Sequence, residues 1–324
     1  MPRHPGLPRP EPVVLERKGL LSLLEFIDKD AGACERVLAM ETSFRMKVGA
    51  MIDALPASEA KFEKFNTSPY VLLFYAAQQG YQTVGQIEGD IVPAKVFSSM
   101  ETSAGRMIEE VTLPAYGWDT VPSGMHTAYS SLDGRLTTAE GCEVATLKSG
   151  PRCLNDEMSE NFADNILSYG PEWSSDVGAS KVVFNYGVLY GTPRQSNKKD
   201  WHILRQLVMK TSERQGSVVR SHENSWTCEV QLGGITYEAA IRIGLDWWQH
   251  LGGPTCALEV WVAMIRACIV PGATDPADHH FIIGDIKQII STDVVPPEFN
   301  VGLLQRSQLP WLFFVARHFC DRLA

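Results

Sequence analysis

Long hydrophobic runs are what this sequence has least of. No stretch approaches the roughly 18 consecutive apolar residues that a membrane-spanning helix needs, and the longest, 70–77 and 311–316, have the length of core segments. The start, MPRHPGLPRPEPVV, is rich in proline and arginine and has no apolar segment of the kind a secretory signal carries. Residues 1–12 are expected to be a disordered tail, and no membrane partner is expected. Cysteine is sparse: seven residues, an odd count with no CxxC spacing. That speaks against a disulfide framework or a structural zinc site and favours a reducing cytoplasm. Asp278-His279-His280 has no second ligand cluster at a metal-binding spacing. Internal repeats, low-complexity tracts and long linkers are also missing.

Positive charge is scarce overall, with a net charge of -9, which argues mildly against a nucleic-acid partner. Its distribution is uneven, however. Between Lys181 and Arg220 eight basic residues stand against only Asp200 and Glu213. Such a concentration fits either a basic cleft on an acidic body or a solvated helix face.

With 324 residues, 44% of them apolar and 21% charged, the chain can bury a sizeable core. Apolar spacing predicts two or three helices over residues 13–64, ending at Pro56, then a break at 66–69 and a buried helix over 70–79. A helix over 94–113 begins near Ser98-Ser99 and places Glu101, Gly105 and Glu109 on one face. A glycine inside a helix costs about 1 kcal/mol relative to alanine and marks close approach of another backbone. A polar strand is predicted near 124–129, followed by a hairpin over 132–148 with Glu140-Gly141 in its turn. Then come a helix over 155–169 capped by Asn155 or Asp156, a buried strand over 181–190, and a basic helix over 200–210. Strands near 226–232 and 235–241, a Trp-rich helix over 245–251 and an apolar helix over 255–269 complete the pattern. The division expected is an N-terminal tail and helical region over 1–65 and one large domain over 66–324.

The hairpin organises the rest. Asp133 opens its first strand, and Val144, Thr146 and Lys148 share one face of the second, which stops at Ser149-Gly150-Pro151. A carboxylate and a lysine at the end of a buried hairpin suit holding a hard divalent cation against a phosphodiester. The same pair also fits a surface ion pair worth about 0–1 kcal/mol.

Several pieces, in order, resemble type II restriction endonucleases of the PD-(D/E)xK fold. They are Ser98-Ser99 with Glu101, Gly105 and Glu109; Asp133; Lys148-Ser149-Gly150-Pro151 with Asn155; 187–191 with 197–200; and 243–248. Together they span roughly residues 66–270. The resemblance implies an α/β fold with a restriction-endonuclease-like core, a mixed central sheet flanked by helices. It also implies Mg²⁺-dependent hydrolysis of double-stranded DNA at a short specific sequence by a homodimer. Asp133 would ligate the ion with the Leu147 carbonyl, and Lys148 would act on the attacking water. Thr146 stands where the family usually has a second carboxylate, and a hydroxyl does not replace that charge. The missing acid would come from Glu157 or Glu160 in the following helix, or from Glu109. Glu143, on the opposite strand face, ranks lower. Ser149, Arg152, Asn155, Arg194, Gln195, Asn197, Lys198 and Lys199 are the expected DNA contacts, the cations on phosphates and the amides on base edges. Trp247, Trp248 and the 255–269 helix are expected in the core or in a dimer interface. Three alternatives remain: a cleavage-deficient DNA-binding protein of the same fold, a repair or structure-specific nuclease, and an unrelated α/β protein with a purely structural hairpin.

Overall fold

The structure, a computed structural model, describes residues 6–55, 69–121, 127–138, 141–276 and 278–324. The predicted cap at 66–68, the turn residue Glu140 and the first half of the predicted strand at 124–129 lie outside these. What is described of that strand is a turn, with the Ser130 N–H donating to the Thr127 carbonyl.

The chain is an α/β protein. Seven strands form a mixed sheet in the order β2-β3-β4-β5-β8-β7-β6. These are β2 (Asp119–Thr120), β3 (Gly134–Thr137), β4 (Cys142–Lys148), β5 (Lys181–Val188), β6 (Ser217–Arg220), β7 (Thr227–Leu232) and β8 (Ile235–Ile243). The central β4, β5 and β8 run parallel, and the outer strands pair antiparallel. Parallel neighbours require crossovers. Helix α5 (Asp156–Asp176) connects β4 to β5, while α6 (Lys199–Glu213) and the β6–β7 pair connect β5 to β8.

Side-chain alternation along the sheet divides the core in two. Cys142, Val144, Phe184 and Tyr186 pack with α5 and α6 on one face. Ala145 and Leu147 point the other way. There they meet α1 (Arg17–Lys29), α2 (Ala31–Asp53), α4 (Val84–Ala115), α7 (Leu245–Gly252), α8 (Cys256–Cys268) and α10 (Leu309–Arg317). The short α9 (Ile286–Ile289) packs on α10. Helix α1 buries Leu20, Leu21, Leu24 and Ile27, one helical stripe. Asp30 caps α2 by accepting from the Ala33 N–H at 2.7 Å. Glu259 of α8, fully buried, accepts from Arg36 through both its oxygens and also from Tyr116 and Thr255. A buried charge with that many donors ties α2 to α8. The N-terminal helices therefore share one apolar cluster with α7, α8 and α10. Trp247 and Trp248 are buried in it, as expected of core residues.

Four sequence expectations change. Residues 6–12 lie against the body: the Asn224 N–H donates to the Gly6 carbonyl, Pro8 is buried and Leu7 packs on the α5/α6 cluster. Beyond them β1 (Val14–Leu15) pairs in parallel with β9 (Arg322–Leu323). Helix α3 (Pro69–Gln79) forms but buries none of its residues, and Tyr70, Leu73 and Phe74 are exposed. Apolarity without a polar face gave no sign of which neighbour would cover it. Helix α4 starts at Val84 rather than near Ser98, because the capping box of Thr83 and Gln86 sets its N-terminus. Finally, β6, an exposed edge strand, forms where no strand was expected. Among the described residues no helix is long and apolar enough to cross a membrane, and all seven cysteines are free thiols.

Candidate active site

The hairpin forms as expected, with Gly134 opposite Ala145. Asp133, one residue before β3, is fastened to β4 twice. Its N–H donates to the Ala145 carbonyl at 2.8 Å, and its Oδ2 accepts from the Leu147 N–H at 2.7 Å. Leu147 thus meets the acid through its amide hydrogen. Lys148 closes the same strand, with Nζ 5.8 Å from the centre of the Phe162 ring. No described carboxylate forms an ion pair with this amine.

Helix α4 brings the second acid. A Cβ at Gly105 would sit 2.9 Å from the Ser149 Oγ, so the helix passes directly over the residue that follows Lys148. The close approach predicted from this glycine is real, and the neighbour is a side chain rather than a backbone. One turn on, Glu109 enters a cleft of about 580 Å³ that it lines with Asp133, Lys47, Arg106, Glu110 and Thr120. Burial, then the charge of Asp133, pushes the Glu109 carboxyl up to about 8, with the charge of Lys148 opposing. Burial also raises the Asp133 carboxyl, against the Leu147 N–H and the Lys148 charge. Glu110, next in sequence, instead turns to Lys47 and Arg106, which hold it below the usual carboxylate range. Glu101, two turns earlier, is exposed.

Two part-buried carboxylates that repel each other form an environment a divalent cation would stabilise. Among the described residues no group of three His, Cys, Asp or Glu gathers as a ready-made metal cage. Glu109 and the Asp133 oxygen not bonded to Leu147 nevertheless suit Mg²⁺, which commonly takes one or two carboxylates and completes its shell with phosphate and water.

The other expected ligands are placed elsewhere. Thr146 is buried and its hydroxyl donates to the Ser131 carbonyl, so it holds the hairpin base together. Glu160 pairs with Lys210 at 3.1 Å, and Glu157 is exposed in the first turn of α5. The family resemblance made both candidates, but α5 turns them to solvent and to α6. Glu143 accepts from Asn185 and sits 3.0 Å from the His250 Nε2, on the far face as expected.

The predicted DNA contacts divide similarly. Asn155 caps α5 through the Met158 N–H. The Asn197 amide bridges the Leu154 carbonyl and the Lys199 N–H, while the Gln195 side chain accepts from the Thr192 N–H. These amides help to shape the loops in this conformation. Lys199 pairs with Asp156. The Lys198 Nζ donates to the Pro193 carbonyl and lies over the Trp226 ring. Ser149, Arg152 and Arg194 are exposed. The concentration of basic residues from 181 to 220 is largely neutralised. Lys181 and Arg220 pair with Glu238, Lys210 with Asp164 and Glu160, and Arg214 with Asp164. Lys47 and Arg106, which do line the cleft, carried no sequence signal. Lys47 sits in the N-terminal helical region, and only the packing of α2 on α4 brings it there.

No protein-family model matches the chain, and no curated protein matches it.

Proposed function

We propose that this protein is a Mg²⁺-dependent endonuclease of the PD-(D/E)xK fold. It would hydrolyse phosphodiester bonds of double-stranded DNA at a short specific sequence, as type II restriction enzymes do. The observation that carries the reading is the meeting of Glu109, Asp133 and the charge of Lys148 where α4 crosses the end of the β3–β4 hairpin. The sheet order and the α5 crossover are compatible with that fold. Glu109 takes the place of the acid missing at Thr146.

Asp133, oriented by the Leu147 N–H, and Glu109 would hold the ion, which supplies a lowered water pKa and stabilises the departing 3′ oxygen. Lys148, unpaired by any described acid, orients or deprotonates the attacking water and offsets the charge of the pentavalent transition state. Lys47 and Arg106 offer cations at the cleft rim, although both are shared with Glu110. A palindromic site would call for a two-fold homodimer, one cleft per strand.

Digestion of a defined phage genome with Mg²⁺ tests the reading: a discrete band pattern supports it, whereas a smear or junction cutting favours a repair nuclease. Binding without any cleavage, by a wild type as stable as its variants, would instead favour a DNA-binding protein of the same fold. The inward-turned hydroxyl of Thr146 is the observation on that side.

A further inference from the structure

A second cavity, of about 520 Å³, opens where the N-terminal segment crosses the loop after β5. Its walls are Leu7, Pro8, Pro10 and Pro12, and its charged groups are Arg9, Arg194 and Lys198. Among the described residues no acidic side chain lines it. Neither Arg9 nor Arg194 forms an ion pair with any described residue, in contrast to the paired cations of α6.

The walls are built rather than incidental. Residues 6–13 are tethered at both ends, by the Asn224 N–H on the Gly6 carbonyl and by the Val13 N–H on the Asp321 Oδ2 at 2.9 Å. Prolines at 8, 10 and 12 stiffen the span between. Asp321 also accepts from the Thr192 hydroxyl, which locks the segment to the β5 loop. In that loop Lys198 adopts a left-handed backbone, φ 67°, uncommon for a residue with a side chain. Ser196 holds it there by accepting from the Lys198 N–H and donating to buried Asp200.

The location ties this cavity to the cleft. β4 and β5 are parallel neighbours, so the loops that follow them leave the same edge of the sheet. Arg152 donates to the Gln195 carbonyl at 3.0 Å, and the Asn197 N–H donates to the Pro151 carbonyl at 3.3 Å. A continuous surface therefore leads from Lys148 and Ser149 through Arg152 to Arg194 and Arg9.

We propose that this cavity is a phosphate-binding site for the backbone of duplex DNA, with the proline-rich segment as a clamp and Arg9 and Arg194 as its cations. The proposal rests on the nuclease reading of the neighbouring cleft. Guanidinium groups without acidic partners among the described residues, in a chain of net charge -9, attract phosphodiesters and carry no base preference. Binding there would release counterions and be the same for every sequence.

The test is fluorescence anisotropy of a labelled duplex with Ca²⁺ in place of Mg²⁺, across a salt series, with the full-length wild type, Arg9→Ala, Arg194→Ala and the double variant. Both arginines are exposed, so the fold is expected to survive; unchanged thermal melting checks this. The double variant is expected to bind roughly tenfold more weakly to every duplex tested. Its plot of log affinity against log salt should be less steep by about 2, near one unit for each lost phosphate contact. A double variant with wild-type affinity and slope overturns the clamp while leaving the cleft reading intact. A wild type that binds with the steeper slope but does not cut in Mg²⁺ sinks the hydrolase and leaves the clamp standing.

Discussion

The two polar sites that flank β4 hold similar residues in opposite electrostatic states. Near its start Glu143 has the His250 Nε2 at 3.0 Å and the Asn185 amide at 3.3 Å, with Arg242 near, and its carboxyl lies below the usual range because of these partners. Arg242 in turn donates to Asn185 and pairs with Asp246. Near the end of β4 Glu109 and Asp133 are part-buried, with the Leu147 N–H on Asp133 and the charges of Lys148 and, for Glu109, Arg106 in compensation, and both carboxyls are raised. A satisfied network stabilises the fold as it stands. An unsatisfied one costs stability that a ligand can return, which is why raised acids in a cleft point to function.

Catalysis offers the largest way to break this contrast. Asp133→Ala and Lys148→Ala should each lower Mg²⁺-dependent plasmid nicking by roughly 10²–10⁴-fold, while Glu143→Ala leaves the rate per folded molecule nearly unchanged. Equal losses at Glu143 and Asp133 would erase the distinction between the two sites.

Stability should show the reverse order. Glu143→Ala leaves the Asn185 amide and the His250 Nε2 short of their partner and should cost about 1–3 kcal/mol in chemical denaturation. Glu109→Gln should stabilise the metal-free protein, because it removes a charge that burial disfavours.

The pH dependence sharpens this, since the two acids pull stability in opposite directions. Glu109 has a folded value of about 8, above its unfolded 4.5. The native state therefore holds the extra proton between those values, and its stability falls as pH rises through that window. The gain from Glu109→Gln should be absent near pH 4 and fully developed above about pH 8, read as the difference in Tm between variant and wild type. Glu143 is lowered in the fold, so its contribution is present above its unfolded value and is lost as pH falls through the folded one. Added Mg²⁺ should raise the Tm of wild type more at pH 8 than at pH 6, where protons compete for Glu109, and raise that of Glu109→Gln less at both. A Tm shift that ignores both pH and Glu109 would remove the ion from this cleft.

The smallest effect is expected at Thr146. Thr146→Val removes one hydrogen bond to Ser131 and should cost about 1 kcal/mol while nicking stays within a few-fold of wild type. A loss as large as that of Asp133→Ala would return Thr146 to the reacting centre.

Much of the architecture was legible because local patterns carry it. Period-two alternation marked β4, buried-strand composition marked β5, helical spacing marked α1 and α2, and a continuous apolar stretch marked α8. Gly105, four residues before Glu109, pointed to the place where α4 comes closest to the hairpin. The resemblance failed where it left several acids on two different helices as candidates. Glu157, Glu160 and Glu109 could each be drawn toward the lysine, and nothing local excluded the pairing of Glu160 with Lys210. The basic stretch misled for the same reason, since its partners Asp156, Asp164 and Glu238 lie outside it in sequence.

The central strands, most of the long helices, the Asp133–Lys148 hairpin and the absence of a long apolar span came from the chain alone, because backbone periodicity and turn chemistry act over a few residues. Which acid faces Asp133, which cations remain unpaired, and the folding of residues 6–12 onto the β5 loop were decided by tertiary packing. Charges select partners across space, and long side chains reach whichever opposite charge the fold brings within a few ångströms.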